Sequence, residues 1–165
     1  MSKVEYPITN AVRFLRANTI EFIPRLYPYA DHGGTARAAE MLGVTEHHVI
    51  KTLVMETDRK HPIIVLMHGD REVSTKSLAR QIGVKGVTPC DMKAAEKYTG
   101  YQVGGISPFG TRLGLKVYVE SSILTLERVY INGGKRGFLV EISPAAIQKA
   151  LSPERVDVAI QPLKS

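Results

Sequence analysis

Apolar positions along this chain recur at two spacings, about 3.6 and 2 residues, and the succession of the two predicts a domain of mixed helices and strands. Between Ile8 and Ala17 the residues Ala11, Val12, Phe14 and Leu15 fall on one helical face, with Thr9 or Asn10 placed to cap it. Ile20 to Tyr27 reads as extended. Thr35 to Leu42 has helical spacing and stops at Gly43, which suits a left-handed C-terminal residue. Val49 to Met55 and Pro62 to Met67 are β-rich and flank the polar stretch Glu56 to His61, so they predict a hairpin. Within that stretch, Asp58-Arg59-Lys60-His61 reads as a solvated turn.

Ser74 or Thr75 is placed to cap a helix over Lys76 to Ile82, and Cys90-Asp91 to open another through Lys97. Leu115 to Glu120, Arg128 to Ile131 and Phe138 to Ile142 predict short strands, Ser143-Pro144 starts a helix through Leu151, and Val156 to Ile160 predicts a last strand. No repeat or linker divides the chain. Strands come in unbroken groups as well as in alternation with helices, which favours an α/β domain of the α+β kind over a doubly wound parallel sheet. The expectation is a single compact domain over residues 1–165, its mixed β-sheet forming a partly closed barrel with flanking helices.

Composition narrows the function more than the fold. A chain of 165 residues buries enough surface to need neither disulfides nor metals. Twenty-two Lys and Arg against 16 Asp and Glu give a net charge of +6, a modest preference for nucleic acid or other anions. Cys90 is the only cysteine, so no intramolecular disulfide forms. The segment Met1 to Pro7 lacks the apolar stretch of a secretory signal, and no run approaches the ~20 residues of a membrane span, so the expected location is cytoplasmic with no membrane partner. His32, His47, His48, His61 and His68 match no metal spacing and read as surface or capping residues, so neither metal nor cofactor is expected.

Two glycine-rich polar clusters carry the candidate chemistry. They are Thr99-Gly100-Tyr101-Gln102-Val103-Gly104-Gly105-Ile106-Ser107-Pro108-Phe109-Gly110 and Asn132-Gly133-Gly134-Lys135-Arg136-Gly137. Glycine lets a backbone approach a ligand closely, and the neighbouring cations favour an anionic, polar one. Lys51 stands in an apolar run, Val49-Ile50-Lys51-Thr52-Leu53, where its ammonium must reach a cleft, a carboxylate or, by snorkelling at a strand edge, solvent. The second cluster is not a Walker A loop, because Val129 stands where its first glycine belongs and Arg136 replaces Ser or Thr. Gly105-Ile106-Ser107-Pro108-Phe109-Gly110 is one residue too long for a nucleophile elbow, so Ser107 reads as a binding group. Cys90 has no signature of a nucleophile.

In this order and spacing the three motifs resemble the YbaK family of Cys-tRNA(Pro) deacylases, over about Ile8 to Ile160. The resemblance implies an editing domain related to the insertion domain of prolyl-tRNA synthetases, with aminoacyl-tRNA, tRNA(Pro) in particular, as substrate and the synthetase as a possible partner. It implies hydrolysis of mischarged Cys-tRNA(Pro) with help from the substrate's own thiol. Lys51 would then grip the terminal nucleotide or the reacting ester, and the amides of Gly104, Gly105 and Ile106 would form the oxyanion site. Tyr27, Thr52, Tyr101, Ser107, Asn132, Gly133, Gly134, Lys135 and Arg136 would contact the substrate. Asn132 and Leu139 depart from the family pattern, which expects Ser and, in some members, an acidic residue. The alternatives are a deacylase for another small amino acid, such as Ala-tRNA(Pro), and an inactive tRNA-binding module.

Overall fold

The protein is described by a computed structural model over residues 5–162. Among these residues are helices α1 (Asn10–Ala17), α2 (Gly34–Leu42), α3 (Thr75–Ile82), α4 (Met92–Thr99) and α5 (Pro144–Leu151). The strands are β1 (Ile23–Leu26), β2 (Val49–Thr57), β3 (Pro62–His68), β4 (Glu72–Val73), β5 (Val87–Pro89), β6 (Lys116–Glu120), β7 (Val129–Lys135), β8 (Phe138–Ile142), β9 (Glu154–Val156) and β10 (Ala159–Ile160). Four helices start where a side-chain oxygen takes up an otherwise orphaned N–H: Thr9 accepts from Val12, Ser74 from Ser77, Asp91 from Ala94 and Ser143 from Ala146. Gly43 ends α2 in the left-handed conformation, φ 69°. None of the described helices is long and apolar enough to cross a membrane.

The main sheet runs β1-β8-β7-β2-β3-β6-β9, with β5 added beside β2. It is mixed: β2–β3 and β7–β8 are antiparallel, whereas β2–β7, β3–β6 and β6–β9 are parallel. The predicted hairpin forms with Ile50 opposite His68 and Glu56 opposite Pro62. Strand β3 is buried on both faces, which is why it is a continuous apolar run rather than an alternating one. Its Ile64 and Leu66 pack with Leu15, Phe138 and Ile147 on the α1 and α5 side. Ile63, Val65 and Met67 pack on the opposite side with Leu78 and Ala79 of α3. The fold is the expected α/β domain with a mixed sheet and flanking helices.

Three local expectations are corrected. The strand expected over Val156 to Ile160 is two strands in different sheets, β9 beside β6 and β10 beside β4. The buried Glu120 carboxylate divides them by accepting the N–H groups of Val158 and Ala159 at 2.7 and 3.1 Å. The strand expected over Arg128 to Ile131 runs further, as β7 continues through the second glycine cluster to Lys135 with a register shift between Asn132 and Lys135. Its glycines make room for packing, as described below. His68 is fully buried at the end of β3 rather than at the surface; its Nδ1 lies 2.8 Å from the His47 carbonyl and its Nε2 2.7 Å from Ser122 Oγ.

Candidate active site

A gap in the sheet makes the site. One edge of β2 pairs with β7 over Val49–Ile50 and with β5 over Met55–Thr57, so Lys51 to Val54 lie between two partners. Val54 offers its carbonyl to Cys90 N–H at this edge. Thr52 has the same parity, which directs its main-chain N–H and C=O into the gap. The loop 103–106 stands opposite, and between them opens a cavity of about 490 Å³ bounded also by Tyr27, Tyr29, the start of α2, Asn132 and Arg136. A chamber of about 400 Å³ adjoins it, reaching Glu72, Thr75 and Cys90 and sharing Lys51, Thr52, Met92, Val103 and Ile106 with the first.

Strand alternation explains the lysine. Val49, Lys51, Leu53 and Met55 share one face of β2; Val49 is covered by α2 and Met55 by the α3 cluster, and Lys51 falls in the interval between them. Its ammonium donates to the main-chain carbonyl of Arg71. Burial lowers its pKa, opposed by the carboxylates of Glu72, Glu46 and Asp70. Thr52 Oγ1 is buried without a hydrogen-bond partner among the described residues. Such an orphaned hydroxyl costs about 1–3 kcal/mol.

The opposing loop is latched to the β7–β8 hairpin. Arg136 Nε donates to the Val103 carbonyl at 2.9 Å, and its guanidinium lies 5.3 Å from the centre of the Tyr29 ring. Asn132 Nδ2 donates to the Gly104 carbonyl at 3.2 Å, while its Oδ1 accepts from the N–H groups of Gly134 and Lys135 at 2.6 and 3.2 Å. Asn132 thus supports both the loop and the irregularity in β7. Gly104 has φ 93°, and a Cβ there would come within 2.7 Å of Tyr29 Oη. Only glycine fits that junction without strain.

The structure brings together Lys51, Thr52, Gly104, Ile106, Tyr27, Asn132 and Arg136 around the main cavity. Others of the expected residues lie elsewhere. Gly105 donates its N–H to Gln102 at 2.8 Å, so that amide is not an oxyanion donor. The amides of Gly104 and Ile106 have no partner among the described residues. Tyr101 is buried with its hydroxyl on the Phe109 carbonyl, and its pKa is raised by desolvation. The fully buried Ser107 accepts the Phe109 N–H at 3.2 Å. Both serve the interior of the loop instead of the substrate wall. Gly133 and Gly134 clear space for the Phe138 and Tyr101 rings, and Lys135 borders a neighbouring groove that shares Tyr27 and Arg136 with the cavity.

Several wall residues have no local sequence signal. Tyr29 meets Arg136 from more than a hundred positions away, and Thr35 and Ala38 reach the cavity only through packing of α2 on the sheet. The adjacent small residues Ala38 and Ala39, both buried, are the one hint that α2 approaches the sheet closely. Burial, then the neighbouring Tyr29, raise the Tyr27 phenol pKa.

Burial and the carboxylates of Glu56 and Asp91 push the Cys90 thiol up to about 11. At neutral pH it is a protonated, weakly nucleophilic thiol. Iodoacetamide at pH 7.5 is therefore expected to modify the native protein much more slowly than the urea-unfolded one, read by intact mass.

Fold and cavity together define a small α/β domain with an open cavity in a sheet gap beside a half-buried lysine. Residues 32–150 match the family model of the aminoacyl-tRNA editing domain, and the chain belongs to that family. EbsC of Enterococcus faecalis, provisionally named a Cys-tRNA(Pro)/Cys-tRNA(Cys) deacylase, is 31% identical over 142 residues, covering 84% of this chain and 85% of EbsC. The proline–tRNA ligase of Desulfotalea psychrophila is 29% identical over 60% of this chain, and the match occupies 17% of the ligase. A solved structure provisionally described as a trans-editing enzyme for prolyl tRNA synthetase superposes with a TM-score of 0.80 at 18% identity, covering 92% of this chain and 95% of the other. The chain is accordingly an aminoacyl-tRNA deacylase in class.

Proposed function

We propose that this enzyme clears cysteine from mischarged Cys-tRNA(Pro). The observation that carries the reading is the half-buried Lys51 ammonium set on the wall common to both chambers, where it can meet the ester while each chamber takes one end of the aminoacyl-adenosine. Tyr27 and Tyr29 offer aromatic faces to the terminal adenosine in the larger chamber. The smaller chamber takes the amino-acid side chain against Thr52, which lines both chambers. The name of EbsC supports cysteine as the residue removed and tRNA(Pro) among the carriers, and the match to a proline–tRNA ligase supports a working relation with that synthetase.

The chemistry needs no protein nucleophile. The substrate thiol loses its proton and its sulfur attacks the ester carbonyl carbon; the carbon–oxygen bond to the ribose breaks, and the ribose oxygen takes up a proton. The resulting thiolactone is opened by water to free cysteine. Lys51, with the free amides of Gly104 and Ile106, stabilises the negative charge that develops on the carbonyl oxygen. An alanyl ester has no thiol, so its removal requires a bound water as nucleophile.

The test is single-turnover deacylation of Cys-tRNA(Pro), Ala-tRNA(Pro) and Pro-tRNA(Pro), with Thr52→Val beside the native enzyme. Selective release of cysteine is expected. Thr52→Val keeps the side-chain volume but removes the hydroxyl, and should lower kcat/KM for the cysteinyl substrate roughly tenfold. Equal release of alanine would replace the thiol mechanism with a water mechanism. No release from any of the three would overturn the assignment.

A further inference from the structure

We propose that Asp70 is a positioning residue for Lys51, acting through the turn that follows β3. This inference rests on the role given to Lys51 above. The turn His68-Gly69-Asp70-Arg71 closes with Arg71 N–H on the His68 carbonyl at 3.1 Å, and it is the Arg71 carbonyl that receives the Lys51 ammonium. Asp70 holds this turn from two sides. Its Oδ1 lies 2.8 Å from His47 Nδ1, and its Oδ2 accepts from Arg71 Nη1 at 3.0 Å. The His47 ring is fixed in turn by stacking on the buried His68 ring, with centroids 3.7 Å apart and planes 5° apart.

The rest of the turn is equally confined. Gly69 N–H donates to the Val49 carbonyl at 2.7 Å, and a Cβ on Gly69 would lie within 2.8 Å of Thr35 Oγ1 and of the Val49 and Glu46 carbonyls. Thr35 Oγ1 donates to Glu46 Oε2 at 2.7 Å, tying α2 to the same corner. A lysine side chain has four rotatable bonds, and its stem alone does not fix where the charge sits. Here a rigid acceptor at its tip does so. Bonds to main-chain carbonyls hold Gly69 and His68 to the same corner, but Asp70 is the carboxylate that ties His47, before β2, to Arg71, after β3, so its loss loosens the Arg71 carbonyl while the strands stay paired.

The experiment is a double-mutant cycle on Cys-tRNA(Pro) deacylation, with folding checked by thermal unfolding. Asp70→Ala is expected to lower kcat about tenfold with KM changed less than twofold, because a misplaced charge weakens the transition state rather than binding. Asp70→Asn keeps an acceptor for His47 and should restore kcat to within about threefold of native. In a Lys51→Met background Asp70→Ala should cost nothing further. Should Asp70→Ala fail to fold, His47→Ala removes one of the two ties and should give a smaller loss of the same kind, also absent in the Lys51→Met background. A full loss in both backgrounds, or a native kcat for folded Asp70→Ala while Lys51→Met is impaired, overturns the positioning role. Native activity of Lys51→Met overturns the reading of the site itself, and the positioning role with it.

Discussion

Lys51→Met is expected to fold normally and to deacylate Cys-tRNA(Pro) about 100- to 1,000-fold more slowly, the usual cost of losing a preorganised group that stabilises a developing oxyanion. Methionine has a similar length and suits the apolar face that Val49, Leu53 and Met55 continue on either side. Burial lowers the folded pKa of Lys51, so between the folded and unfolded values the unfolded chain binds the extra proton and stability rises with pH. Below that window the buried cation is a constant cost to folding. Removing it should therefore leave the melting temperature at neutral pH equal to or above that of the native protein. The native rate, measured against uncatalysed ester hydrolysis at each pH, should fall as pH rises through the lowered lysine value, and the Lys51→Met rate should lack that limb. A native rate for Lys51→Met, or a loss of activity that follows a loss of fold, would contradict the role.

The second large effect is on stability. Gly133→Ala places a Cβ 2.4 Å from Phe138 Cε2 and 2.7 Å from its Cδ2. Phe138 is fully buried and stacks on Tyr6 with centroids 5.8 Å apart, so its ring cannot swing into open space. Overpacking of this kind costs about 1–3 kcal/mol. In a domain of this size that corresponds to a melting temperature lower by roughly 2–4 °C per kcal/mol. Phe138→Leu alone leaves a void, but combined with Gly133→Ala it should cost less than the two changes added together, since each relieves the other's defect. Simple additivity in thermal unfolding would mean that the two side chains do not compete for one space.

The elements set by local chemistry were legible in the residues. Thr9, Ser74, Asp91 and Ser143 announce helix starts because their short side chains satisfy N–H groups a turn ahead, and Gly43 announces a stop for the converse reason. Lys51 stood out because an ammonium within an apolar strand requires a destination, although the identity of that destination, the Arg71 carbonyl, depends on a turn twenty residues away. The glycine clusters were harder to read. A glycine that clears space for a ring and one that admits a ligand look alike in sequence, and only the distance from Gly133 to Phe138 tells them apart. Likewise nothing near Val156 signals that a carboxylate on β6 will end one strand and begin another.

The parallel pairing of Val49–Ile50 with Tyr130–Ile131 joins segments about eighty residues apart. Closing so long a loop carries an entropic cost that is recovered only once the distant strand docks. The hairpin that docks there also delivers Asn132, Arg136 and Leu139 to the cavity. Until it arrives, the loop 103–106 lacks the Asn132 and Arg136 bonds that hold it opposite the lysine. The cavity walls are therefore complete only once these two distant stretches of sequence have paired.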